Sequence, residues 1–396
     1  MRRWLEEFEQ FAIDVILERR YGRRAAILRW ILYVFSFVYR FLVQTRVFLF
    51  RKRIYRQHQI GCLVISIGNL TVGGTGKTPV VERFARALEA GGRRVAILSR
   101  GYKSKKLPLL KRLAARFQTK AEFTPRIVSD GKSVLLDSRM AGDEPYMLAR
   151  NLKNVVVLVH KNRVGSGLYA VEKMGCDTLL LDDGMQFLHL RHSLEIVLID
   201  RQAPFGNEFL LPRGTLREPP ENLKRASYIF ITKSIPDGNT ELIQRIRKYN
   251  RTAEIIECAH RPLHLQNIYS DEQLPCEWLD GKYIGALSAI AAPESFESAL
   301  TKLGAKIEIA KHYADHHRFS HADLQNFAIR CERRDLAAII TTEKDSVRLP
   351  GMEKLGVPIY FLRVEIEILT GHESWQHLVD RICKPQPFAQ PERFFA

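Results

Sequence analysis

A chain of 396 residues is long enough for two α/β domains with full cores, and a hydrophobic share of 46% excludes a disordered protein. Six cysteines at 62, 176, 258, 276, 331 and 383 form no Cys-x-x-Cys pair, which excludes a disulfide framework and a zinc site and fits a reducing compartment. The net charge of +17 is local: residues 1–56 hold thirteen Arg and Lys against five Asp and Glu, and residues 103–120 hold seven basic residues and no acidic one.

Residues 1–22 predict an amphipathic helix carrying Trp4, Phe8, Phe11, Ile13, Ile16 and Leu17. No basic n-region, apolar core and small-residue cleavage site opens the chain, so no cleaved signal peptide is expected. In Ala25–Arg56, Arg29, Ser36, Arg40, Gln44 and Arg51 fall on one side of a helix whose other faces are aromatic and aliphatic. Its longest uncharged apolar run, Trp30 to Tyr39, is too short to span a bilayer. The pattern predicts a helix lying in a membrane interface, with Arg51, Lys52, Arg53 and Arg56 toward anionic headgroups. The competing reading is a helix buried against the core with its arginines snorkelling to water. Dense aromatics beside aliphatics suit lipid better than base stacking, so nucleic acid is not the expected partner.

Leu63–Ile67 is a short β-branched run that predicts a buried parallel strand. Gly68, Gly73, Gly74 and Gly76 follow, then Lys77 and Thr78, and helical spacing begins at Val80, Val81, Phe84, Ala85 and Leu88. Strand, glycine loop and helix are what an ATP phosphate loop needs, with backbone N–H groups of Gly73, Gly74, Thr75 and Gly76 cradling oxygens. Lys77 is placed for the β/γ-phosphates and the Thr78 hydroxyl for Mg²⁺. The loop departs from the strict pattern at Thr71 and resembles variant loops of the ParA/MinD-like branch, although Val72 takes the place of that branch's signature lysine.

Further strands are predicted at 94–99, 155–159, 178–181, 196–200, 228–232 and 254–259, completing a doubly wound, mainly parallel first domain over 57–259. Asp182 and Asp183 end one strand, where a Walker-B pair belongs. Gly142-Asp143-Glu144-Pro145 puts two carboxylates ahead of a helix, and 211–219 is a loop of glycine, proline and arginine. The basic stretch 103–120 reads equally as a membrane-touching element or a solvated insertion. Residues 260–282 lose the alternation and read as a linker; strands at 284–290, 307–310, 337–341 and 357–363 define a smaller α/β domain over 283–396. His312, His316 and His317 lack helical ligand spacing, so hydrogen bonding or acid–base work is preferred to a metal.

In chain order these motifs resemble the tetraacyldisaccharide 4′-kinase family. The matching stretches are Gly68 to Pro79, Arg100-Gly101-Tyr102, Gly142 to Pro145, Asp182-Asp183-Gly184, Gly206-Asn207, Leu211-Pro212, Leu216-Arg217-Glu218, Asp315-His316-His317 and Thr342 to Asp345. Met185 and Phe187 stand where the family usually has phenylalanine and histidine, with His189 two residues on, and Lys103 replaces a family glycine. The resemblance implies ATP and Mg²⁺ as cofactors and an acylated glucosamine disaccharide 1-phosphate as acceptor. It implies a peripheral place on the anionic cytoplasmic face of the bacterial inner membrane, and a second domain that closes over the nucleotide. It makes Asp143 the catalytic base and His316 its partner from the second domain. Thr78, Glu144, Asp182 and Asp183 would serve the metal, and Asn69, Tyr102, Arg163, Gln186 and Arg217 the substrates. The rival from another class is a ParA/MinD-like ATPase that cycles on membranes.

Overall fold

A computed structural model describes residues 2–101, 123–351 and 355–384, without the side chains of 2–7 and 9. Tyr102, Lys103 and the 103–120 insertion lie outside the described residues. The chain divides into two compact units, one of residues 1–100, 162–259 and 368–396, the other of residues 101–161 and 260–367.

The first unit is a parallel sheet in the order β2 (Val95–Ser99), β5 (Thr178–Asp182), β1 (Leu63–Asn69), β6 (Leu194–Asp200), β7 (Tyr228–Thr232) and the start of β8 (Glu254–Asn267). Its strands read as apolar runs because both faces are covered: β1 from Val64 on, and all of β2, β5, β6 and β7, are buried. Helix α3 (Lys77–Ala90) buries Val80, Val81, Phe84, Ala85 and Leu88, the stripe its spacing predicts. The strand order reverses at β1, so its carboxyl end is a switch point, where open α/β sheets bind ligands. The register pairs Ile67 with Asp182, which sets the end of β5 beside the loop leaving β1.

Two helices precede β1: α1 (Arg2–Ile16) and the 29-residue α2 (Arg23–Arg51). By length and composition α2 is enough to cross a membrane, which the ten-residue run alone did not indicate. The core-helix reading fails, because only 6% of its most apolar window is buried and Trp30 (67%) and Phe41 (70%) are largely exposed. The polar stripe differs from expectation too. Ser36 is buried and Arg29 donates to the carbonyls of Val15 and Arg20, so these two face protein, while Arg40 stays half exposed in a surface pair with Glu221 at 3.1 Å. Arg51, Lys52, Arg53 and Arg56 are exposed at the helix's end, as expected.

The second unit contains an antiparallel pair, β3 (Arg126–Asp130) and β4 (Val156–Val159), with α4 (Ser138–Ala141) and α5 (Asp143–Asn151) between them. It also contains parallel strands β11 (Lys306–His312), β10 (Tyr283–Ser288), β12 (Ala338–Thr342) and β13 (Ile359–Thr370, up to Glu367), in that order. Helices α8 (Pro293–Lys302) and α9 (His321–Glu332) cover them; α6 (Arg163–Glu172), α7 (Thr240–Tyr249) and α11 (His372–Cys383) belong to the first unit, and α10 (Glu343–Ser346) to the second. Residues 260–282 are not a structureless linker. β8 continues to Asn267 and pairs with β9 (Gln273–Pro275), while Leu265, Cys276 and Leu279 are buried with Ile284 and Ile340. Few buried apolar residues do this work there, which is why the alternation of strands and helices is lost in the sequence. Residues 101–161, expected within the first domain, fall in the second unit, and with them Asp143.

Candidate active site

In the first unit the loop after β1 is stapled in place by its neighbour. Val72 N–H donates to Thr215 O (2.7 Å) and Arg217 N–H to Leu70 O (2.7 Å), while Thr232 Oγ1 donates to Thr75 O (2.9 Å). Gly76 caps α3 in the left-handed region (φ 73°), a conformation that a side chain would strain. At Gly73 (φ 124°) and Gly74 an added Cβ would meet nothing, so the loop leaves open space where phosphates belong.

Lys77, at the first turn of α3, donates from Nζ to Asn69 Oδ1 (3.0 Å) and lies 3.2 Å from Asp183 Oδ1. Arg217 Nη1 reaches both Asp183 oxygens at 2.8 Å and lies 3.3 Å from Gln186 Oε1. Gln186 Nε2 in turn donates to Asn69 O (3.1 Å). Burial alone would raise the Asp183 pKa, but Lys77 and Arg217 outweigh it and hold the carboxyl below the ordinary range. Asp183 has φ 55°, a left-handed conformation tolerated by Asp and seen at sites where geometry is over-determined. The structure thus brings together Asn69, Lys77, Asp183, Gln186 and Arg217 from three separate stretches.

Asp182 is buried and accepts from Ser99 Oγ (3.1 Å). Arg163, at the start of α6, donates from Nη1 to the carbonyls of Asp182 (2.9 Å) and Asp183 (3.0 Å), and its guanidinium lies 4.4 Å from the Phe187 ring centre. Burial lowers its pKa, opposed by Asp183 and Asp182, but a guanidinium remains charged. Phe187, the departure from the family histidine, is therefore a stacking surface for Arg163. His189 instead packs edge-on against Phe50 at 5.0 Å. Met185 is fully buried; its backbone crosses so close to Gly68 that a Cβ there would lie 2.7 Å from Met185 N.

The second unit holds the other cluster. Asp143 opens α5 and His316 follows β11, yet His316 Nδ1 lies 3.0 Å from Asp143 Oδ2. Two arginines complete the cluster: Arg348 Nε to Asp143 Oδ2 (2.8 Å) and Arg318 Nη2 to Asp143 Oδ1 (3.1 Å). Burial would raise the Asp143 pKa; the His316 hydrogen bond, then Arg348 and Arg318, bring it below the ordinary value. Arg348 is itself held by Asp345 (2.9 Å) and Ala289 O (3.0 Å), and Asp345 accepts from Ala289 N–H and Thr342 Oγ1. Arg318 and Arg348 escaped the sequence reading, although Arg318 directly follows the two histidines and Arg348 lies three residues after Asp345. The three histidines go to three different carboxylates: His312 to Glu297, His316 to Asp143 and His317 to Asp323 (3.2 Å). Among the described residues no group of His, Cys, Asp and Glu is arranged to hold a metal. Glu144 belongs to the second unit, where it pairs with Lys344 at 3.4 Å.

A parallel sheet with a glycine loop at its switch point, a loop lysine tied to a strand-end aspartate, and a partly buried Asp–His pair define a phosphoryl-transfer protein of the P-loop class. The model of the LpxK family, tetraacyldisaccharide-1-P 4′-kinase, matches residues 28–384, and the chain belongs to that family. It is 37% identical to the tetraacyldisaccharide 4′-kinase of Syntrophus aciditrophicus, over 89% of this chain and 93% of the relative. To that of Anaeromyxobacter dehalogenans it is 39% identical, over 78% and 79%. A crystal structure of LpxK from Aquifex aeolicus in complex with ATP superimposes with a TM-score of 0.69 at 28% identity, covering 90% of this chain and 99% of that one. The family match sets aside the ParA/MinD-like ATPase reading.

Proposed function

We propose that this chain transfers the γ-phosphoryl group of ATP to the 4′-hydroxyl of a tetraacylated glucosamine disaccharide 1-phosphate, at the cytoplasmic face of the inner membrane. The observation that carries the reading is Lys77, presented behind an open glycine loop by Asn69 and Asp183. Lys77 neutralises charge on the β/γ-phosphates, the backbone of Gly73, Gly74, Thr75 and Gly76 cradles them, and Arg163 and Arg217 supply further cations.

Mg²⁺ fits the donors present, since Thr78, Asp182 and Asp183 offer hard oxygens and such ions are held largely by phosphates rather than by protein cages. Thr75 Oγ1, buried and without a partner, is a further polar atom of the loop that suits a bound ligand. When bound, the ion would neutralise charge on the transferred group. Glu144 is assigned to the same task on the family resemblance alone, while Tyr102 is assigned to substrate.

Asp143 is the base in this reading. A carboxylate facing two arginines is a weak base, but phosphoryl transfer goes through a loose transition state that asks more for orientation than for basicity. A second reading rests on the tautomer. Nδ1 lies between Asp143 Oδ2, which can only accept, and Arg348 Nη2, which can only donate; in the tautomer whose Nδ1–H donates to Asp143, Nε2 is the nitrogen able to take a proton.

The exposed apolar face of α2 supports binding to an anionic membrane surface, and its protein-facing side argues for lying on the membrane rather than crossing it. Along that side Tyr33 meets Phe209, Tyr39 reaches Arg217 O, Arg46 reaches Gln186 O and Phe50 meets His189, leaving one flank for lipid.

The test is incubation of the purified protein with γ-labelled ATP, Mg²⁺ and a panel of glycolipids. Label should move to the disaccharide 1-phosphate, and Lys77→Ala should abolish transfer while the chain stays folded. Label that never leaves ATP for lipid, or moves equally well in the Lys77 variant, would overturn the reading.

A further inference from the structure

Helix α2 has two faces with different tasks. At 3.6 residues per turn, Trp30, Phe37, Phe41 and Phe48 fall within about 40° of one another, and Tyr39 and Arg46 lie roughly 160–180° from their centre. The first four are at least half exposed. The other two end on backbone carbonyls of site residues: Tyr39 Oη donates to Arg217 O (3.0 Å) and Arg46 Nη2 to Gln186 O (2.8 Å).

From those carbonyls two relays of hydrogen bonds converge on the loop lysine. One runs from Arg217 to Asp183 (2.8 Å) and from Asp183 to Lys77 (3.2 Å). The other runs from Gln186 to the Asn69 carbonyl (3.1 Å) and from the Asn69 side chain to Lys77 (3.0 Å). Arg217 and Gln186 also meet each other at 3.3 Å, so neither relay shifts alone.

We propose that Tyr39 and Arg46 are positioning residues that couple lipid occupancy of the apolar face of α2 to the geometry of the phosphate site, so that vesicle-bound protein holds nucleotide more tightly than protein in water. The inference rests on the membrane and nucleotide readings above. A helix whose apolar flank is in water has a reason to leave or reorient. Lipid removes that reason and fixes the hydroxyl and guanidinium against the two carbonyls. Linkage makes the effect reciprocal: nucleotide must strengthen vesicle binding by the factor by which vesicles strengthen nucleotide binding.

The experiment titrates the full-length protein with a fluorescent ATP analogue, with and without vesicles of phosphatidylglycerol and phosphatidylcholine, and measures vesicle flotation in parallel. Coupling in allosteric systems starts at about 5-fold, and a change of that order in Kd on adding vesicles is expected for the wild type. Tyr39→Phe removes one hydroxyl and Arg46→Gln one charged donor. The double variant should keep its flotation and melting temperature and lose the vesicle effect, leaving one weak Kd in both conditions. Arg46→Lys, which keeps a donor and a charge, should recover part of the effect.

A wild-type Kd indifferent to vesicles, or a double variant that keeps the full effect, overturns the coupling alone. A wild type that does not float, or binds no nucleotide, removes the membrane or nucleotide reading, and the coupling with it.

Discussion

The Nδ1 atom of His316 lies 3.0 Å from Oδ2 of Asp143, an oxygen that also receives Arg348 Nε at 2.8 Å. His316 sits at φ 67°, held by its own N–H to Ala289 O (3.2 Å), and Arg348 donates to that same carbonyl. Backbone and side chains therefore fix the pair together. If the pair acts as one base, Asp143→Ala and His316→Ala should each lower kcat by about 10²–10⁴. The double variant should lose little more than the worse single one, since groups acting as a unit are not additive. Initial rates with both substrates saturating decide it; independent, multiplying losses would assign the residues to separate steps.

The pH profile distinguishes the two proton acceptors. Lowered by its hydrogen bond and two arginines, Asp143 stays ionised to below its ordinary pKa of 3.8. With Asp143 as base, kcat/KM should show no acid limb across the neutral region and fall only at acid pH. An acid limb in the neutral region would move the role away from Asp143 and to His316 Nε2. The same shift has a stability sign. A depressed carboxylate pKa contributes stability above the ordinary value, lost as pH falls through the lower folded value, so acid denaturation should include this group.

Much of the first unit was legible because its signals are local. Strand, glycine loop and helix follow one another without interruption from Leu63 to Ala90, and Asp182 ends an unbroken apolar run. The carboxylate–imidazole pair was legible only through family motifs, since 173 residues separate its members. What stayed hidden was non-local. Arg348 announces nothing in sequence, yet it is the residue around which Asp143, Asp345 and Ala289 O converge. The division of the chain misled for a related reason: Asp143 follows the phosphate loop in sequence but belongs with residues 260–367. On α2 the spacing of polar residues marked one face but not its cover: Ser36 and Arg29 turn to protein while Arg40 and Arg51 are exposed, because periodicity says which residues share a face and not what covers it.

Arg348 supplies a stability prediction. Its side chain is fully buried, as is that of Asp345, and removing it leaves one buried carboxylate without its cation and takes one of the donors from Asp143. Breaking a buried pair from one side costs about 3–5 kcal/mol. Arg348→Ala should lower the urea midpoint of the second unit accordingly. Arg318→Ala, which removes a partly exposed arginine, should cost less than about 1 kcal/mol. Equal losses in the two variants would mean that Arg348 is not the keystone.

The membrane prediction follows from the exposed flank of α2. Deleting residues 1–56 would remove Tyr39 and Arg46 as well as the apolar face, so substitution is the cleaner test. Phe37 and Phe41 are 56% and 70% exposed. Burying a phenylalanine in an apolar medium contributes about 1.5–3 kcal/mol, so Phe37→Ser with Phe41→Ser should weaken partition into anionic vesicles by well over tenfold. Neither residue has a hydrogen bond to the site, so nucleotide affinity measured without vesicles should be unchanged. Raising salt should weaken binding of the wild type separately, because Arg51, Lys52, Arg53 and Arg56 are exposed and their attraction to anionic headgroups is screened. Flotation at low and high salt, with neutral and anionic vesicles, separates the two contributions. Partition that ignores both the serine substitutions and salt would mean that α2 is covered by something other than lipid, and its apolar flank would have to be assigned to a protein partner instead.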